Sequence, residues 1–178
     1  MFKVASRAFA RPTWAAAAMP VRSIASTAPR FNTVNHKLNK QSFVYKYAEE
    51  GPKGVKFTSE HEWIALFNDD SAFVGITQYA AEALGDVTFV ELPEVGDLVE
   101  IGDVMGSVES VKSSSDIYAP VAGEIIAVND DLDSNPGVLN VDPMGNGWIA
   151  QIKLSKPEAV EEDPLLLSEQ QYEESLEN

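Results

Sequence analysis

Short runs rich in apolar residues recur along the chain, at residues 55–57, 63–67, 72–76, 87–92, 98–101, 104–109, 117–121, 124–128 and 148–154, and in 104–109, 117–121 and 148–154 the pattern alternates with a period of two. A period of two is the period of a β-strand with one face buried. Turn-forming residues separate the runs: 68–71 (Asn-Asp-Asp-Ser), Gly96-Asp97, Gly102-Asp103, Ser113-Ser114-Ser115 and Pro136-Gly137. The pattern predicts a mainly β domain made of antiparallel hairpins. In the closing run, Trp148, Ala150, Ile152 and Leu154 are expected to face inward.

Three segments carry the 3.6-residue signature instead. Thr77 is placed to cap a short helix over 78–84 that Gly85 stops. A second short helix is expected around 138–140. Ser168 and Gln171 have capping-box spacing, so 169–176 should form a terminal helix. Many short strands with few short helices describe a small sandwich or barrel with peripheral helices.

The first 48 residues break this pattern. Lys3, Arg7 and Arg11 recur every four residues opposite Phe2, Ala5 and Phe9, and Pro12 ends the repeat. Residues 1–48 hold eight bases and no acid, the composition of a mitochondrial transit peptide and linker. The apolar run 14–19 is too short for a membrane span. The expected division is therefore 1–48 as targeting extension and 49–178 as the folded domain. Arg22 and Arg30 both stand at suitable distances from a processing cut.

Charge sharpens the picture. The remaining 130 residues hold five bases and all 28 acids, a formal charge of −23. Such a surface disfavours nucleic acid and anionic membranes and favours partners with basic docking faces. The chain has no cysteine and only two histidines, His36 and His61. That excludes a disulfide framework, a thiolate nucleophile and a cysteine metal site, and leaves little for a histidine one. Any sulfur redox chemistry must come from an attached group.

Within that acidic body one residue stands apart. Lys112 is the only lysine or arginine from Phe57 to Ile152. It lies where two alternating runs meet, with Val104, Gly106 and Val108 leading in and Ile117, Ala119 and Val121 leading out. An isolated amine on a hairpin tip is an address for covalent chemistry or a lysine that blunts a sheet edge. Gly106 and Gly123 are expected where backbones approach closely.

The stretch Glu109-Ser110-Val111-Lys112-Ser113, followed by Ser115-Asp116, Tyr118, Pro120-Val121 and Gly123-Glu124-Ile125, resembles the lipoyl-lysine hairpin of the glycine cleavage H proteins. His61-Glu62-Trp63, Gly75-Ile76-Thr77, Leu84-Gly85-Asp86-Val87, Phe89-Val90-Glu91-Leu92-Pro93 and Asp142-Pro143-Met144-Gly145-Asn146-Gly147-Trp148 follow in that family's order. The resemblance spans residues 54–172.

The resemblance implies a barrel-sandwich hybrid of two antiparallel sheets with short peripheral helices and a C-terminal helix, the fold of lipoyl and biotinyl carriers. It implies lipoate joined to Lys112 as an amide. It implies a cleft, bordered by Glu62 and Asp116, that holds the amine of the loaded arm. The implied partners are a pyridoxal-phosphate (PLP) glycine decarboxylase, a tetrahydrofolate-dependent aminomethyltransferase, an FAD- and NAD-dependent dihydrolipoyl dehydrogenase, and lipoylating enzymes. The implied compartment is the mitochondrial matrix, and a monomer is the default state. The protein would be a carrier, not an enzyme. Glu109 is either part of what a lipoylating enzyme reads or a solvated residue, and Trp63, Trp148 and His61 are expected to be structural.

One position departs from the pattern: Glu60 stands where many relatives have a small hydroxyl residue. Competing readings are a biotinyl domain, a 2-oxoacid dehydrogenase lipoyl domain, an enzyme and an unmodified scaffold. Methionines flanking the lysine, Asp-Lys-Ala at the tip and a Gly-rich phosphate loop are all missing, which weighs against the first three.

Overall fold

The computed structural model describes residues 36–177. Among these residues the apolar runs form nine strands. They are β1 (Gly54–Phe57), β2 (Glu62–Leu66), β3 (Ser71–Ile76), β4 (Val87–Glu91), β5 (Leu98–Val99), β6 (Val104–Ser110), β7 (Ser114–Tyr118), β8 (Gly123–Val128) and β9 (Ala150–Leu154). Six of them pair in the order β1-β2-β3-β9-β8-β5 and three in the order β4-β6-β7, all antiparallel. This is the two-sheet, mainly β architecture expected from the sequence.

The six helices among the described residues are short: α1 (Phe43–Lys46), α2 (Gln78–Leu84), α3 (Asp131–Ser134), α4 (Val138–Val141), α5 (Pro157–Glu161) and α6 (Glu169–Leu176). Thr77 caps α2 by accepting from Ala80 N, and Gly85 ends it. Ser168 and Gln171 form the capping box of α6. Three single-turn or near single-turn helices, α1, α3 and α5, are additional to those read from the sequence.

The core lies between the sheets. Ile64, Val74, Ile125 and Ile152 of the large sheet meet Val90, Val108 and Ile117 of the small one. The strands β2 and β3 are buried along their whole length, on both faces. Their second face carries Trp63, Ala65, Phe67 and Phe73 and packs on Met144, Tyr172 of α6, Leu38 and Val44.

Those last two residues move the expected boundary of the folded unit. Residues 36–48, grouped on sequence with the extension, lie along the body. His36, Leu38, Ser42 and Val44 are buried. Asn39 N donates to Met144 O at 2.8 Å, and its side-chain amide donates to Asp142 at 2.9 Å. Phe43 stacks on Trp148 with ring centroids 5.9 Å apart. The physical reason is the aromatic face of the large sheet, which needs cover. Trp148 belongs to that second cluster and is half-buried; Ile149, not Trp148, enters the main core.

Two further details differ from the alternation. A register shift between Val104 and Gly106 buries Met105 and leaves Val104 57% exposed. A bulge of this kind exchanges the two faces of a strand. Gly106 and Gly123 do lie at close backbone approaches: a Cβ on either would collide with a carbonyl oxygen, of Glu91 and Lys153 respectively.

A chain beginning at residue 49 should fold but lose stability relative to one beginning at 36. Burying Leu38 and Val44 alone is worth roughly 1.5–3 kcal/mol each, so the loss should be about 3 kcal/mol or more. Urea unfolding of the two chains measures it; coincident midpoints would contradict the assignment of 36–48 to the folded unit.

Candidate functional site

The hairpin β6–β7 projects its tip, residues 111–113, at the end of the small sheet. The turn sits earlier than Ser113-Ser114-Ser115. Ser114 and Ser115 already pair with Glu109 and Val108. Ser110 closes the loop: its backbone N donates to Ser113 O at 2.8 Å, and its Oγ accepts from the N–H of Lys112 and of Ser113, both at 3.1 Å. Locally any of the serines suits a turn; the ladder between the two strands selects Val111 and Lys112 as the central pair.

Lys112 is exposed and, among the described residues, makes no ion pair or side-chain hydrogen bond. Its side chain lies over Gly85, at the end of α2. A Cβ built on Gly85 would be 3.0 Å from Lys112 Nζ and 3.3 Å from its Cε. Val111 N donates to Asp86 O at 3.3 Å, so the tip is also tied to the α2–β4 connection.

Beside the tip runs a cleft of about 260 Å³. Its apolar lining comes from Ile76, from Ala80, Ala83 and Leu84 of α2, and from Val108 and Ile117 of the hairpin. Its polar border comes from Glu60, His61, Glu62, Ser113, Ser115 and Asp116. Glu62 and Asp116, 54 residues apart in sequence, are therefore brought to one cleft next to Lys112.

The two carboxylates differ. Glu62 is not a solvated strand residue but 2% exposed. A buried carboxylate needs partners, and Glu62 has them. One oxygen accepts from Thr58 Oγ1; the other accepts from Tyr118 N at 3.2 Å. Tyr118 lies on β7, the free edge of the small sheet. Glu62 thus spans from the large sheet to the small one. An ionised carboxylate has about four acceptor positions, so Glu62 retains capacity on the cleft side. Asp116 is exposed and makes no hydrogen bond through its carboxylate among the described residues. Glu60, also exposed, adds a third negative charge to the border.

His61 forms the cleft wall in a left-handed backbone conformation, φ 76°. Its Nδ1 shares a 2.7 Å hydrogen bond with the Tyr172 hydroxyl, which also bonds Thr77 Oγ1 at 2.9 Å. Burial pushes the Tyr172 phenol up to about 12 and pushes His61 below its ordinary 6.5, although Glu62 and Glu60 pull His61 the other way. His36, 4% exposed with Nδ1 unpartnered, packs edge-on against Tyr172 at 5.1 Å and is likewise lowered by burial. Trp63 is fully buried and donates to Pro143 O at 2.9 Å, which makes it structural. Glu109 is exposed, beside Phe89 and Ser114 on the outer face of the small sheet.

Sequence reading missed the apolar cleft lining and the Tyr172–His61–Thr77 link. The small residues Ala80 and Ala83 on a short capped helix were the available signal for the first. The second joins α6 to the start of β2 across 111 residues and has no local signal.

A family model described as glycine cleavage H-protein matches residues 55–178. The chain is 50% identical over 145 residues to the mitochondrial glycine cleavage system H protein of Saccharomyces cerevisiae, covering 82% of this chain and 85% of that one. It is 48% identical over 126 residues to the glycine cleavage system H protein of Kocuria rhizophila, covering 70% and 96%. Among solved structures, that of a glycine cleavage system H protein from Mycobacterium marinum superposes with a TM-score of 0.63 at 36% identity, covering 71% of this chain and 99% of that one.

Burial lowers both histidines in the folded state, while the unfolded chain protonates them near 6.5. The unfolded state therefore binds more protons just below that pH, and stability must fall as pH drops through it. The slope is at most about 1.4 kcal/mol per pH unit for each histidine. The urea midpoint should be lower at about pH 5.5 than at about pH 7.5, and His36→Phe should flatten the difference. A midpoint independent of pH over that range would contradict the lowering of both rings by burial.

Proposed function

The chain belongs to the glycine cleavage H-protein family, whose members are lipoyl-bearing carriers and not enzymes, and from that premise we propose that Lys112 is the residue of this chain that carries lipoate. The observation behind this reading is the pairing of one isolated amine with one cleft. Lys112 is the only base across 96 residues, it sits at the tip of an ordered turn, and its side chain leads over α2 to the cleft bordered by Glu62 and Asp116.

The residues present fit the group. An exposed amine without an ion pair is free to be acylated, and an aliphatic arm leaving it meets the apolar lining of Ala80, Ala83 and Leu84. The lipoyl group, once attached, supplies the disulfide and dithiol chemistry that moves the aminomethyl group of glycine. The chain's own residues do the holding. Glu62 and Asp116 accept hydrogen bonds from the cationic amine of the cargo; Glu62 is already oriented by Thr58 and Tyr118, while Asp116 has all its acceptor positions open. The apolar walls keep water from the cargo.

The partners of this reading are the pyridoxal-phosphate glycine decarboxylase, the tetrahydrofolate-dependent aminomethyltransferase, dihydrolipoyl dehydrogenase with FAD and NAD, and a lipoylating enzyme. Its compartment is the mitochondrial matrix, reached through the acid-free N-terminal segment and consistent with the similarity to the mitochondrial protein of yeast. A body of charge −23 suits basic docking faces on those partners.

Lys112→Arg keeps the positive charge but cannot form the amide. It should fold like the unmodified wild type, remain unlipoylated, and support no glycine cleavage when combined with the other components. Wild-type turnover by this variant would refute the assignment.

Asp116→Asn and Glu62→Gln should still accept lipoate but lose the cargo sooner. A hydrogen bond to a charged group contributes about 1.5–3 kcal/mol, so release should be about tenfold faster or more. The check is to load lipoylated protein, remove the decarboxylase and follow ammonia and formaldehyde; release rates equal to wild type in both variants would show that the cargo does not rest on these carboxylates.

A further inference from the structure

The Ser110–Ser113 turn fixes the backbone of Lys112 but leaves a side chain with four rotatable bonds. Ordering such a chain costs about 1.5–2 kcal/mol of rotamer freedom, so an exposed lysine without a partner is expected to point into solvent. This one does not. Its Cδ, Cε and Nζ lie 3.8, 3.3 and 3.0 Å from the point a Cβ on Gly85 would occupy. The space is there because residue 85 has no side chain, in a left-handed conformation (φ 79°) that ends α2.

The loop bearing Gly85 is bonded to α2 through Gly85 N, which donates to Ala81 O at 3.1 Å, and to α4 through Asn140. Asn140 of α4 donates from Nδ2 to Gly85 O at 2.6 Å, and its Oδ1 accepts from Val87 N at 2.9 Å. The two bonds bracket Asp86, whose carbonyl accepts the N–H of Val111 at the hairpin tip. A single amide side chain thus bonds both the floor under the lysine stem and the residue after the backbone point to which the tip is tied.

We propose that Gly85 is a seat for the side chain of Lys112 and that Asn140 is the positioning residue that holds this seat in place. The seat turns the root of the side chain along the C-terminal end of α2, where Ala83 and Leu84 line the cleft. An arm extended from Lys112 is directed toward the cleft and not into solvent. This second consequence rests on Lys112 being the lipoylated residue; the seat itself does not.

The test uses NMR on the full-length protein in two forms. In the unmodified protein, nuclear Overhauser contacts should join the Lys112 δ and ε methylenes to the Gly85 α protons. They should be lost in Asn140→Ala, while backbone contacts across β6 and β7 persist. Asn140→Asp keeps an acceptor for Val87 N but removes the donor to Gly85 O, so it tests the same point if Asn140→Ala does not fold. Its Lys112 methylenes should lose contact with residue 85 and become mobile. In the lipoylated protein, contacts from the arm to Ala83 and Leu84 should be present in wild type and weakened in either variant. Absence of Lys112–Gly85 contacts in the folded wild type, or their full retention in folded Asn140→Ala, overturns the proposal. Failure of Lys112 to be lipoylated would instead overturn the carrier assignment and leave the contacts in the unmodified protein as predicted.

Discussion

One buried carboxylate sets the geometry on which the site depends. Glu62 begins β2 in the large sheet and reaches the exposed edge of β7 in the small one, where Tyr118 offers an N–H that no strand takes up. Leaving that N–H unpaired, or the carboxylate unpartnered, would cost free energy on burial. Thr58 completes the arrangement from the turn before β2. The two sheets are thereby fixed at one distance along one line, and the opening that remains between β7 and α2 is the cleft.

The other constraint is the aromatic face of the large sheet. The strands β2 and β3 bury both faces, so the sheet needs cover on the side away from the main core. α6 supplies Tyr172, the 143–148 loop supplies Met144 and Trp148, and residues 36–48 supply Leu38 and Val44. Tyr172 then links this covering layer to the site, since its hydroxyl bonds both His61 in the cleft wall and Thr77 at the cap of α2. The layer that stabilises the fold also fixes one wall of the cleft.

What the sequence makes legible is what local chemistry decides. Strand periods, the caps at Thr77 and Ser168 and the stop at Gly85 depend on neighbours within four residues, and they stand where expected. The hairpin and its lysine are legible for the same reason. The turn is displaced because Ser110 and Ser113–Ser115 are locally alike, and only pairing with β6 distinguishes them. Residues 36–48 read as extension because their lack of acids continues that of the segment before; their burial depends on an aromatic face assembled from distant strands. The burial of Glu62 and the rest of Lys112 on Gly85 are likewise long-range, joining residues 56 and 27 positions apart. No periodicity reports such contacts.

Peptide mass spectrometry of the protein isolated from mitochondria tests the central assignment. Between Lys56 and Lys153 the only tryptic site is Lys112. An amide at Lys112 blocks that cut, so trypsin should leave residues 57–153 as one peptide bearing a single lipoyl group. Cleavage with a glutamate-specific protease should place the group on Lys112. Complete tryptic cleavage after an unmodified Lys112, or lipoate found on another lysine, would contradict the account.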